Sequence, residues 1–254
     1  MTLFYLKLIV TPLLMWAISL ASRRWGGLLG GLLSGLPITS ALVMTFLCLE
    51  QGTAFALGAV PGALGGLAAV QATYAFYLFA TRRLGVGAAV GLAVLFYGVA
   101  AYAFTHWGSL YLSIGVALVL IAVLINASGR EPKPEAMALS RQRYWEIPLR
   151  MVSATSLLMV TTSLANWLGP ATSGMLAPIP VIAWPLVVFA NVQNGRAGMA
   201  AMVRGNAIGA VGVIAFYLVL AGVLQAWGVG LAVSLAMGCA VMLTVGLAAV
   251  LRRR

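Results

Sequence analysis

Residues 30–52 read GGLLSGLPITSALVMTFLCLEQG, and residues 169–195 read GPATSGMLAPIPVIAWPLVVFANVQNG. Both are apolar runs of membrane-crossing length, and both carry proline in their interior: Pro37 in the first, Pro178, Pro180 and Pro185 in the second. Proline removes a backbone donor and clashes with the preceding turn. In hydrocarbon the freed carbonyls need a partner, so such breaks persist where they line a cavity or face other helices. The step along the chain from Pro37 to Pro180 recurs elsewhere. The same gapless offset pairs Gly26 with Gly169, Gly31 with Gly174, Phe46 with Phe189 and Gly52 with Gly195. It also pairs Gly62 with Gly205, Gly66 with Gly209, Tyr74 with Tyr217 and Lys7 with Arg150, and it aligns GVGAAVGLA from Gly85 with GVGLAVSLA from Gly228. The chain therefore reads as an internal repeat, with one broken helix in each copy.

Composition fixes the solvent. Of 254 residues, 63% are apolar and 7% charged, with mean hydropathy +1.05; soluble domains carry about a quarter charged residues. Too little polar side chain remains to cover a soluble globule. Asp is absent, and the acids are Glu50, Glu131, Glu135 and Glu146. This excludes an EF-hand and any carboxylate-rich metal site, and the high hydrophobicity excludes intrinsic disorder. The net charge of +11 sits in short breaks between apolar runs, which fits topology signals and not nucleic-acid binding.

The predicted fold is an all-α polytopic membrane protein of nine transmembrane helices. Spans fall at about 3–22, 26–49, 53–80, 84–104, 107–126, 147–165, 168–190, 197–225 and 228–250, each near the twenty or so residues a crossing needs. Residues 1–104 form repeat 1, 105–146 a connector helix with a polar linker, and 147–254 repeat 2. The basic clusters follow odd-numbered spans: Arg23 and Arg24, Arg82 and Arg83, the linker bases with Arg150, Arg196 and Arg204, and Arg252 to Arg254. One orientation puts them all on one side, which the positive-inside rule makes cytoplasmic. The N-terminus is then outside and the C-terminus inside, with a bacterial cytoplasmic membrane as the expected location. Lys7 interrupts the first apolar run and no signal-cleavage pattern stands out, so Met1 onward reads as the first span.

The offset crosses five spans. An odd number inverts the second copy, giving inverted-topology repeats around a connector, the plan of many secondary transporters. In outline this architecture resembles the inverted-repeat transporters with crossed, proline-broken helices, such as the bile-acid/sodium symporters and cation/proton antiporters. The resemblance implies transport by alternating access and carries over no individual residue, since this chain has one span fewer than the ten-helix members and lacks an Asp pair.

The expected binding residues are Pro37, Thr39, Ser40, Pro178 and Pro180, at the breaks of spans two and seven. Glu50 and Gln51 end span two, and Gln193 and Asn194 end span seven. These four are candidates for gating or for coupling to a proton or sodium ion, Glu50 foremost because a carboxylate's charge cost depends on burial. Lys7 and Arg150 begin spans one and six. Either their long stems snorkel to the interface, or they contact an anionic group from opposite faces in turn; few acids and symmetric bases favour an anionic solute over a cationic one.

Other features have blander readings. Cys48 and Cys239 lie inside apolar runs without disulfide or metal spacing. His106 reads as an outer-loop residue, and Trp16, Trp25, Trp107, Trp167 and Trp227 as an aromatic belt. The glycine-rich faces of spans three and eight permit close helix packing and lack the Lys-Ser/Thr of a phosphate loop. No metal, cofactor or catalytic constellation is expected. The functional expectation is a secondary active transporter of a small solute, in contact with membrane lipids, with span five left over for a homodimer. A lipid or lipid-phosphate translocase is the first alternative and a non-catalytic assembly subunit the second.

Overall fold

Apolar runs of this length must satisfy their backbone hydrogen bonds internally. In the computed structural model of the chain they do so as helices, with no strand among the described residues 2–129, 146–181 and 183–253. Side chains at 2, 18, 19, 21–34, 146, 150, 252 and 253 lie outside that description, and with them the expected roles of Arg23, Arg24, Trp25, Arg150 and the bases of the 130–145 linker. The helices are α1 (Thr2–Gly35), α2 (Ile38–Gln51), α3 (Thr53–Ala80), α4 (Val86–Trp107), α5 (Leu110–Ala127), α6 (Glu146–Ser163), α7 (Ala165–Leu176) and α8 (Ala183–Arg253). Thr53–Ala80, Val86–Trp107, Leu110–Ala127 and Ala183–Leu251 are long and apolar enough to cross a membrane, and they mark an integral membrane protein.

Among the described residues eight helices stand where nine spans are expected, because breaks and boundaries do not coincide. The predicted span two is split at Leu36 and Pro37, and its first half continues from the first span within α1. The predicted span seven is split between Leu176 and Ala183. At its other extreme, α8 has 71 residues, which would reach about 105 Å if straight. Non-helical Gly195 (φ 64°) and Gly228 (φ 71°) divide it into segments 183–194, 196–227 and 229–253. The last two fold back on one another: a Cβ on Gly212 would collide with Thr244 Oγ1 and the Ala240 carbonyl. Gly52, between α2 and α3, has φ 88° and is the counterpart of Gly195 in the repeat. Both junctions use a left-handed backbone that glycine alone adopts without cost.

α3 is the centre of the molecule, buried on most of its circumference from Ala56 to Ala80. This explains why it is apolar all round and not along one stripe. Its Gly62 and Gly66 lie against the backbone carbonyls of Ala171 and Met175 on α7, and Gly174 of α7 lies against that of Ala59. Small residues four apart bring the two backbones into direct contact. α4 and α5 bury only seams, Ala89, Ala93 and Ala101 on one and Ser113, Ala117, Ile121 and Leu124 on the other; the rest of each helix is free to face lipid.

Polar contacts sort the loops onto two levels. Lys7, near the start of α1, meets Glu50 at the end of α2 and Thr162 at the end of α6. The chain between residues 7 and 50 therefore returns to the level at which it began. At the far end of α3, Arg196 donates to Thr81 Oγ1 and to the Leu78 carbonyl. Arg204 donates to the carbonyls of Ile125 (3.0 Å) and Gly129 beyond the end of α5. Each arginine supplies donors and positive charge to a helix C-terminus, where carbonyls are unspent and the dipole is negative.

Candidate functional site

The chain breaks twice at mid-helix, and the two breaks meet. Gly35, Leu36, Pro37, Thr39 and Ser40 from the first, with Pro178 and Pro180 from the second, line a single small cavity. Leu67, Val70 and Gln71 of α3 and Asn206, Ala210 and Val213 of α8 complete it. Its volume is about 40 Å³, room for a few waters or one small polar group. All five expected binding residues line it. Four lining pairs, Gly35/Pro178, Pro37/Pro180, Leu67/Ala210 and Val70/Val213, are each related by the repeat offset.

The local reason for each break is proline. Pro37 has no N–H to give, and the chain restarts with the Ala41 amide on the Pro37 carbonyl (2.8 Å). Pro178 and Pro180 do the same for the second break, where Trp184 donates to the Pro180 carbonyl (2.8 Å). At each break a helix C-terminus (Gly35, Leu176) adjoins a helix N-terminus (Ile38, Ala183), so partial charges of both signs converge on the cavity. Backbone contact closes the wall on one side: Gly35 and Gly209 approach so closely that a Cβ on Gly35 would be 3.0 Å from the Gly209 Cα.

Gln71 is the most distinctive group. Its side chain is fully buried, and among the described residues neither its Nε2 nor its Oε1 has a hydrogen-bond partner. Ser40 Oγ reaches the Ala177 carbonyl only at 3.4 Å. Tyr74 and Tyr217, counterparts in the repeat, are both fully buried. Gln71 and Asn206 do not figure among the expected site residues, although the signal is in the sequence: a carboxamide deep in an apolar span is costly there and marks function.

Next to the polar cavity lies a larger cleft of about 340 Å³, inside the range of small-molecule pockets. Val70 and Pro180 belong to both. The cleft is lined by Thr73, Ala93, Val94, Tyr97, Ser153, Ile179, Val181, Trp184 and Pro185 and is almost wholly apolar. Tyr97 donates to the Met175 carbonyl (3.3 Å), and Trp184 packs against the rings of Tyr74 and Tyr77 at 5.4 and 5.2 Å. Its wall includes Val94, 58% exposed, on the outward-facing helix α4.

The expected coupling residues lie elsewhere. Glu50 and Gln51 stand at the opposite end of α2 from Pro37, and its 14 residues put them about 20 Å away along the helix. Glu50 is part-buried and joined to Lys7 at 2.5 Å, while Lys7 also donates to Thr162 Oγ1 at 2.6 Å. Lys7 is 3% exposed, and its ammonium is held between Glu50 and Thr162. Its positive charge is spent on Glu50, and the pairing of these two residues was not legible from their separate positions in sequence. Gln193 and Asn194 are exposed at the end of the 183–194 segment. Among the described residues no charged side chain lines either cavity. His106 stacks on Tyr102 (4.1 Å), Cys48 is buried and Cys239 half-buried, both free, and Trp16, Trp107, Trp167 and Trp227 are exposed. Among the described residues no group of His, Cys, Asp and Glu could hold a metal. No family model, curated protein or solved structure matches the chain.

Proposed function

We propose that this protein is a secondary active transporter of a small solute, working by alternating access and driven by a proton or sodium gradient. In this reading nine crossings form two inverted four-helix repeats around the connector α5. One observation carries it: the proline breaks of the two repeats meet at one polar cavity whose lining residues pair by the same offset. Discontinuous helices at a repeat interface are where transporters bind. The left-handed glycines Gly52 and Gly195, also counterparts, support the same symmetry.

The two levels of loops support the expected topology. Arg82 and Arg83 follow α3 on the level where Arg196 and Arg204 cap helices, and the positive-inside rule makes that level cytoplasmic in a bacterial membrane. The Lys7–Glu50 level is then outside, with the N-terminus there and the C-terminus within. The described lining carries no charged side chain, and an anionic solute would draw on Lys7 and Arg150 as the repeat pairs them.

The test is a reconstituted vesicle carrying the protein on a sensor membrane, challenged with a panel of small organic solutes under an imposed proton or sodium gradient. A charge or solute movement that requires the gradient is expected. A Lys7→Cys/Glu50→Cys pair, oxidised to a disulfide, is expected to arrest it and thiol reduction to restore it. Flux at channel-like rates without a gradient rejects coupled transport. The cleft, with its exposed wall at Val94, favours a second reading, a lipid translocase. Movement of labelled phosphatidylglycerol between leaflets, without gradient-driven solute flux, would select it. Absence of both movements leaves the assembly-subunit reading.

A further inference from the structure

A fully buried carboxamide without a partner is a standing cost to the fold. Gln71 bears that cost on both of its polar atoms, at the wall of a cavity too small for anything but waters or a compact polar group. Whichever way the amide is turned, it offers one donor and one acceptor side by side. The group that satisfies both at once is itself a neighbouring donor and acceptor. The converging helix ends, one of each polarity at each break, favour such a dipole over a net charge. A charged group would be desolvated here without a counter-ion from the described lining, which holds no carboxylate, lysine, arginine or histidine.

The cleft shares Val70 and Pro180 with the cavity as common walls and is apolar along Trp184 and Tyr97. We propose that cavity and cleft are two compartments of one site for an uncharged small amphiphile: its amide-like head pairs with Gln71, its apolar body lies in the cleft, and it enters past Val94 from the bilayer. This names a substrate class for the transporter reading and rests on that reading for its physiological role. Its binding is measurable without it.

The probe is tritiated octanamide, bound to the full chain in lipid nanodiscs with no gradient and competed by unlabelled octanamide, N,N-dimethyloctanamide and octanoate at pH 8. Saturable octanamide binding is expected, with the dimethyl amide, which lacks the donor, and octanoate, which adds charge, each competing at least about tenfold less well, the equivalent of one lost hydrogen bond or more. Gln71→Leu is expected to weaken octanamide binding about tenfold, with its melting temperature unchanged or raised, because an unpaired polar group is removed. Val94→Trp narrows the mouth without touching Gln71, and is expected to weaken binding even should Gln71→Leu fold poorly. Absence of a saturable component, equal competition by octanoate, or unaltered affinity in Val94→Trp or in a folded Gln71→Leu overturns the proposal. Saturable, Gln71-dependent binding without gradient-driven flux removes the transporter reading and leaves the site; flux without such binding does the reverse.

Discussion

Two ends of the molecule occupy matching places in the sequence and carry different chemistry. At one, Lys7 is buried against Glu50 and Thr162. At the other, at the matching offset in sequence, the counterpart of Lys7 is Arg150 and that of Glu50 is Gln193, an exposed amide. The same contrast holds among glycines. Gly62 has no room for a Cβ against α7, whereas a Cβ on its counterpart Gly205 meets nothing within 4 Å. Residues that match in sequence at one offset thus differ in how tightly they pack. The two ends therefore differ in kind: a buried ion pair ties one together, and arginine-to-carbonyl contacts tie the other.

The largest effect is expected at the glycines. Gly62→Val should cost about 3 kcal/mol or more, because the obstacle is backbone that cannot move aside cheaply. Gly205→Ala should stay within about 0.5 kcal/mol of wild type. Thermal unfolding in detergent measures both, and equal effects would erase the contrast. Next comes the ion pair. Glu50→Leu leaves the Lys7 charge buried and alone, expected to cost about 3 kcal/mol, while adding Lys7→Met should recover most of that loss. Gln193→Leu, at the matching exposed position, should change stability by less than about 0.5 kcal/mol. A recovery absent from the double variant would show that the pair acts through something other than charge. Arg204→Ala is expected to cost about 1 kcal/mol through the uncapped end of α5, read as faster amide exchange at residues 124–129. The smallest effect sharpens the comparison by reactivity. Asn194→Cys should be labelled readily by a water-soluble maleimide, and Glu50→Cys several-fold more slowly, as their exposures require.

Much of the architecture was legible because hydrophobic run length and proline position are local signals. Pro37 and Pro180 announce their breaks, and the fixed offset they share with the paired glycines and tyrosines announces that they correspond. The number of helices was less legible, because a helix ends where hydrogen bonding fails and not where a crossing ends. Segments 183–194, 196–227 and 229–253 run through α8 with only Gly195 and Gly228 departing from helical geometry. The cavity lining was half legible. Residues at the breaks could be named, and Gln71 and Asn206 stand out as carboxamides in apolar spans, but that their helices cross the breaks is a tertiary fact. The union of Lys7 with Glu50 was illegible for the same reason: 43 residues separate them, and each alone resembles an interfacial charge.

The contact between α3 and α7 has a mechanical consequence. Where a carbonyl oxygen sits over a glycine Cα on two successive turns, as at Gly62 and Gly66, neither helix can slide along the other without its backbone riding up on the next side chain. α3 and the 170–176 stretch are thereby keyed together as one unit, with the proline break at 36–37 lying outside the keyed contact.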